Sequence, residues 1–215
     1  MVINISQQHS LVNNWINELR DVHVQQDRLR FRRNIERIGE IIAYEISKKL
    51  PWVEKNITTP LGVSKSKALA SQPVLATILR AGLPLHQGML NYFDNADNAF
   101  IAAYRKHQRD GSFEISLEYL SSPNLDGRVL ILCDPMLATG NSMNTVFDAL
   151  KRFGIPKKIY IASAIATKEA LDRVSKHFPG NTEIFVAAID RELTAQSYIV
   201  PGLGDAGDLA FGVKI

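Results

Sequence analysis

The stretch ILCDPMLATGNSM (131–143) ends an apolar run in an acid, Asp134, and then turns through small, hydroxyl-bearing residues. A turn of that kind opening into a helix aims several backbone N–H groups at one point, and the helix N-terminus adds partial positive charge. Thr139 and Ser142 bring hydroxyls, and Gly140 permits close backbone approach or a positive φ. Together these make a cup for a phosphate. Asp134 would repel that phosphate, so its place at the edge suits a metal ion or a pair of sugar hydroxyls. A phosphate cup beside a diol-binding acid describes a ribose 5-phosphate site. The plainer alternative is an aspartate capping its own turn, with Thr139 or Ser142 as an N-cap. The stretch alone leaves both open. It is neither a P-loop, lacking Gly-Lys-Ser/Thr after the turn, nor the dinucleotide fingerprint G-x-G-x-x-G.

Three more stretches carry candidate chemistry. ILRAGLPLHQGML (78–90) sets Arg80 at a strand end before Ala81 and Gly82. A guanidinium there can fork onto a diphosphate, and small neighbours let backbone amides approach, although taken by itself the stretch reads more simply as a surface arginine at a turn. AYRKHQRDG (103–111) sets Arg105 at another strand end, with His107 and Arg109 nearby. Without a partner, His107 reads as a solvated loop histidine. YIVPGLGDAGDLAFG (198–212) packs four glycines, a proline and two aspartates into fifteen residues, which predicts neither regular helix nor strand. Long irregular segments in compact domains are usually functional. Backbone N–H and C=O groups laid open by the glycines can match the alternating acceptors and donor on the edge of a flat ring. The bland alternative is a glycine-rich tail closing over the sheet.

CDPMLATGNS resembles the phosphoribosyl pyrophosphate (PRPP) loop of the type I phosphoribosyltransferases, and more narrowly that of the uracil phosphoribosyltransferase family. Most of the wider class carry two adjacent acids where this chain has Cys133-Asp134. Asn141 stands where the family usually shows a second glycine, and asparagine tolerates the left-handed conformation better than most residues. Residues 78–90 resemble the family's pyrophosphate loop. In the family the arginine matching Arg105 also contacts PRPP, although Lys106-His107-Gln108-Arg109 replaces the acids usual after it. Residues 198–212 resemble the uracil-binding signature, and the likeness runs from about residue 73 to the C-terminus.

The resemblance implies transfer of the 5-phosphoribosyl group from PRPP to N1 of uracil, giving UMP and pyrophosphate. It implies PRPP contacts from Arg80, Arg105, Asp134, Pro135, Met136, Leu137, Ala138, Thr139, Gly140, Asn141, Ser142 and Asp205. Tyr198, Ile199, Gly204, Asp205 and Ala206 would hold uracil, and Asp134, Arg105, Arg80 and Asp205 would be catalytic. Mg²⁺ would arrive with PRPP and need no permanent protein site. PRPP and uracil are the expected partners, with no membrane or nucleic acid. A homo-oligomer and a cytoplasmic location are further expectations, and GTP binding rests on the resemblance alone.

The elements needed to position these groups follow from periodicity. Ser10 to Arg20 predicts a helix with Leu11, Trp15, Ile16 and Leu19 inward, and Gln26 to Leu50 another, striped by Leu29, Ile35, Ile38, Ile42 and Ile46 and stopped by Pro51. The arginines of the second helix read as a solvated face that pairs acids. Apolar runs at 73–79, 99–105, 128–134, 157–167 and 182–190 predict strands, with helices at 80–90, 142–154 and after 167. The alternating stretch 112–120 predicts a strand with one wet face, which with the preceding KHQRDG (106–111) is expected to form a hairpin or flap. Strands alternating with helices predict an α/β fold of the type I phosphoribosyltransferase kind: a central parallel sheet flanked by helices, with N-terminal helices, a β-hairpin flap and an irregular C-terminal base-binding segment. One domain is expected, divided into a helical hood (1–72), a PRPP-binding core (73–190) and a uracil-binding segment (191–215). Ligands in such folds lie at the carboxyl ends of the strands.

The totals agree. The chain has 215 residues, of which 46% are hydrophobic and 22% charged, enough for a proper core and against disorder. A net charge of +3 suits an anionic small substrate better than a nucleic acid. One cysteine, Cys133, excludes an intrachain disulfide and reads as core rather than nucleophile. The first twenty residues lack a basic-then-apolar leader, and no apolar run nears the ~20 residues that span a bilayer. Two rival readings are a phosphoribosyltransferase for another base, which the single acid and the PGLGDAGD tail disfavour, and an RNA-binding regulator on the same fold, which the basic helix favours. An inactive relative is a third.

Overall fold

The computed structural model describes residues 1–107 and 113–213. The first part of the chain runs β1 (Val2–Asn4), α1 (Leu11–Arg20), α2 (Arg28–Ser47), β2 (Trp52–Thr59), β3 (Gly62–Leu69), β4 (Val74–Leu79), α3 (Leu83–Leu90), β5 (Asp97–His107) and β6 (Phe113–Ser121). It continues through β7 (Val129–Cys133), β8 (Met136–Leu137), α4 (Asn141–Leu150), β9 (Lys158–Thr167), α5 (Lys168–His177) and β10 (Thr182–Asp190). It closes with β11 (Glu192–Leu193), β12 (Ile199–Val200) and α6 (Ala206–Phe211).

The apolar runs form one sheet in the order β1-β10-β9-β7-β4-β5-β6, with β8 beside β9. Its strands are parallel except β6, which lies antiparallel to β5 at the edge. Alternation along β7 serves both faces. Ile131 and Cys133 join the core under α1, α2 and α3, while Leu130 and Leu132 join the core under α4 and α5. That double burial is why β7 is apolar at every position. The predicted α/β architecture with a central parallel sheet is the one observed.

α2 and α3 cross closely at two glycines. A β-carbon on Gly39 would sit 2.5 Å from the Leu85 carbonyl oxygen, and one on Gly88 would fall onto the Glu36 carbonyl. Two arginines of α2 pair with acids, Arg30 with Glu18 at 2.9 Å and Arg33 with Glu36 at 2.8 Å, while Arg32 and Arg37 donate to the Ala210 carbonyl and to Asn34 Oδ1. That accords with the solvated-face reading.

Several expectations need correction. Residues 52–69, placed in a helical hood, form a hairpin of β2 and β3 that lies outside the main sheet. β1 was not foreseen, because three residues give no periodicity. Leu11 and Leu29 are exposed, and Val12 and Phe31 take the inward positions instead. α2 ends at Ser47, ahead of Pro51. The C-terminal segment contains a two-residue strand and a six-residue helix, contrary to the prediction of neither, because Asp205 caps α6 and packing overrides the glycines. β5 and β6 pair as the expected hairpin, but the predicted tip with Gln108 and Arg109 lies outside the described residues.

Candidate active site

The phosphate-cup candidate is built where β7 ends. The Asp134 N–H donates to the Ala162 carbonyl at 3.1 Å, which carries the chain one step past the strand. The Pro135 carbonyl accepts from Ala164 and Ile165. Having no N–H of its own, Pro135 loses nothing at that bend. Met136 and Leu137 then pair with β9, and the Ala138 carbonyl accepts the Thr167 hydroxyl at 2.7 Å. Gly140, at φ 79°, is the residue that turns the chain into α4. Asn141 is the first helical residue and does not need the left-handed conformation expected of it. Asp134 accepts from the Met136 N–H at 3.4 Å, so the capping reading holds for part of its capacity. No side chain caps α4, and the Thr139 hydroxyl instead accepts from the Asn141 N–H at 3.3 Å.

The diphosphate-loop candidate follows β4. The Leu79–Arg80 peptide is cis, and the Gly82 N–H returns to the Ile78 carbonyl at 2.9 Å. A β-carbon on Gly82 would lie 3.1 Å from the Cys133 carbonyl oxygen, so this loop sits directly against the strand end that carries Asp134. Only a residue without a side chain lets the two come that close.

The tail reaches the same place. Arg80 Nη2 donates to Asp208 Oδ1 at 3.1 Å and to the Gly212 carbonyl at 3.2 Å. A β-carbon on Gly207 would stand 3.2 Å from Asp205 Oδ1, 3.9 Å from Ala81 and 4.0 Å from Arg80 Nη2. Asp205 accepts the Asp208 N–H at 3.0 Å, which sets the start of α6. Ile199 is buried and Tyr198 is half exposed. Asp134, Arg80, Gly204, Asp205 and Ala206 thus belong to three loops joined through Gly82 and Gly207. Arg105 lies on β5 opposite Ile115, and its side chain is outside the described residues, as is that of His107.

A second set of residues, which sequence reasoning missed, holds the tail in place. Asp190, buried at the end of β10, takes both Arg20 Nη1 at 2.9 Å and Nη2 at 2.6 Å. It also accepts the Gly202 N–H at 3.0 Å, while Arg20 donates to the Gly202 carbonyl at 2.9 Å. The bidentate fork fixes direction as well as distance. The signal was present, since TEIFVAAID ends an apolar strand in an acid as ILCD does.

Electrostatics separates bystanders from actors. Burial pushes the Cys133 thiol far above its usual range, with Asp134 adding to the effect, so it stays neutral and inert. Among the described residues no three His, Cys, Asp or Glu side chains gather as a metal cage. The oxygen donors here are Asp134, Asp205 and backbone carbonyls, which suit a hard cation. No helix among the described residues is long and apolar enough to cross a membrane.

Comparison with known proteins adds three findings. The family model described as uracil phosphoribosyltransferase matches residues 5–213. A uracil phosphoribosyltransferase of Porphyromonas gingivalis is 54% identical over 214 residues, covering 100% of this chain and 99% of its own. Among solved structures, the AQ2163 protein from Aquifex aeolicus matches at TM-score 0.88 and 30% identity over 100% of both chains. A hypoxanthine phosphoribosyltransferase of Staphylococcus aureus, at TM-score 0.51 and 12% identity over 87% of this chain and 84% of its own, shares the fold alone.

Proposed function

This chain belongs to the uracil phosphoribosyltransferase family, and from that premise we infer which of its residues carry the reaction. The activity is that of a pentosyltransferase: the 5-phosphoribosyl group of PRPP passes to N1 of uracil, giving UMP and pyrophosphate. The bond from the anomeric carbon to the diphosphate breaks, the bond to N1 forms, and the N1 proton leaves.

In our reading, residues 137–142 take the 5-phosphate and Asp134 takes the ribose hydroxyls. Arg80 and Arg105 meet the departing diphosphate, where charge grows as the anomeric carbon turns oxocarbenium-like. Tyr198, Ile199, Gly204, Asp205 and Ala206 seat uracil. The observation that carries this is the meeting of two distant loops, Arg80 against Asp208 at 3.1 Å with Gly207 beside Ala81 and Asp205. Arg80 is half exposed and its pair with Asp208 is solvated, so the guanidinium can be exchanged onto a diphosphate at a cost of under about 1 kcal/mol. Mg²⁺ fits the same place, held chiefly by the diphosphate with Asp205 nearby, and when bound it supplies charge neutralisation of the leaving group. The protein's share is positioning. The three-part division into hood (1–72), core (73–190) and base segment (191–215) belongs to this reading.

A cytoplasmic setting is part of the proposal, because PRPP is a highly charged metabolite that does not cross bilayers. So is a homo-oligomer. The β2–β3 hairpin exposes Trp52, Val53, Ile57, Leu61 and Val63 on a two-stranded ribbon, an arrangement stable only against a partner surface.

Incubation with PRPP, Mg²⁺ and radiolabelled uracil should yield UMP. Asp134→Asn and Arg105→Ala should each lower turnover about 100-fold with circular dichroism unchanged. Normal turnover in either variant would remove that residue from its role.

A further inference from the structure

Helix α5 touches the phosphate-cup candidate three times along one face. Thr167, its N-cap, donates its hydroxyl to the Ala138 carbonyl at 2.7 Å. Next, a β-carbon on Gly140 would lie 2.9 Å from Val174 Cγ2 and 3.3 Å from the Ala170 carbonyl oxygen, so the left-handed corner rests on the helix. Finally, Arg173 Nη1 donates to Asn141 Oδ1 at 2.9 Å while Nη2 holds Glu169 Oε1 at 2.9 Å one turn back.

From the third contact we propose that Arg173 is a positioning residue for the 5-phosphate of PRPP, acting through the Asn141 carboxamide. This rests on the reading of residues 137–142 as the phosphate cup. Arginine carries donors only, so the atom it meets is the amide oxygen, which fixes the orientation of the whole group. A freely turning carboxamide in the first turn of α4 offers a phosphate either its oxygen, which repels, or its NH₂, which attracts. Arg173 commits the oxygen and leaves Nδ2 as the donor end. The Asn141 N–H, meanwhile, reaches the Thr139 hydroxyl at 3.3 Å. That is longer than a strong N–H···O bond, so the N–H readily exchanges this acceptor for a phosphate oxygen. Glu169 keeps the guanidinium from swinging into the cup itself. A glycine at 141 would have no use for this brace; an asparagine there does.

The test is steady-state UMP formation by the full chain at saturating uracil with PRPP varied. Arg173→Ala should raise KM for PRPP about fivefold, as one lost charge-assisted hydrogen bond at a half-exposed site. kcat and KM for uracil should not move. Arg173→Lys should recover part of the loss, because an ammonium can still donate to Asn141. In an Asn141→Gly background, Arg173→Ala should have no further effect. An unchanged KM for PRPP in Arg173→Ala, a drop in melting temperature alone, or an equal KM effect in the Asn141→Gly background would overturn the proposal. Ser142→Ala separates the two levels. If it too leaves KM for PRPP unchanged, the cup reading has failed and takes the brace with it. If it raises KM while Arg173→Ala does not, the cup stands and the brace falls.

Discussion

Three charged groups of the site are engaged by their own chain: Asp134 by Met136, Asp205 by Asp208, and Arg80 by Asp208 and Gly212. The Arg80–Asp208 pair is solvated, so a substrate oxygen can replace Asp208 on the guanidinium. A pH-sensitive group lies on α3. His86 is buried on α3, bonded to Asn98 Oδ1 at 2.8 Å, and burial pushes its pKa below the usual 6.5 despite that bond. A depressed histidine pKa means that the unfolded chain binds the proton first. Stability from this group is therefore complete above about pH 6.5 and is lost as pH falls through the folded value. Thermal melts should show a fall in melting temperature between about pH 7.5 and about pH 5.5 that is shallower in His86→Gln. The meeting of the Asp134 strand end with the Arg80 loop was legible from the order of the motifs, while the roles given to these two residues rest on the family resemblance. Asn141 was legible as a departure, but its partner Arg173 was not, because nothing in local sequence says that a helix surface thirty-two positions later turns toward it.

At the scale of elements, the diphosphate loop is positioned by α3, and α3 by its crossing with α2. Gly88→Ala would put a β-carbon onto the Glu36 carbonyl and within 2.9 Å of the Glu40 nitrogen, both backbone atoms that cannot step aside. The helices must part, at a cost of about 1–3 kcal/mol. Urea unfolding should show a lower midpoint with an unchanged slope. KM for PRPP should rise as well, since α3 begins one residue after Gly82. Which elements could be read from sequence follows from what they bury. β7 and β9 sit inside a doubly covered sheet and announce themselves as unbroken apolar runs. β2 is exposed at all eight positions, so it has no inward face and WVEKNITT gives no pattern to find. α6 is hidden for the opposite reason, since its glycine-bearing sequence is helical only because Asp205 caps it and the core receives Ala206 and Ala210.

For the whole molecule, the hairpin gives a direct test of the proposed homo-oligomer. Val53 pairs with Ala68, so joining these two by a short turn removes the ribbon without touching the sheet. Sedimentation should show the intact chain heavier than its 24.0 kDa mass and the shortened chain nearer to it. Equal assembly in both would move the interface elsewhere. The fold's overall wiring also has a temporal side. The tail that carries the proposed base seat is held by a clamp whose halves are Arg20, made early, and Asp190 with Gly202, made late. A chain caught mid-synthesis has every strand of its main sheet before it has Gly202 to close that clamp. On the proposed reading, discrimination among bases thus depends on the latest-made part of the chain, and loss of either Arg20 or Asp190 should weaken it first.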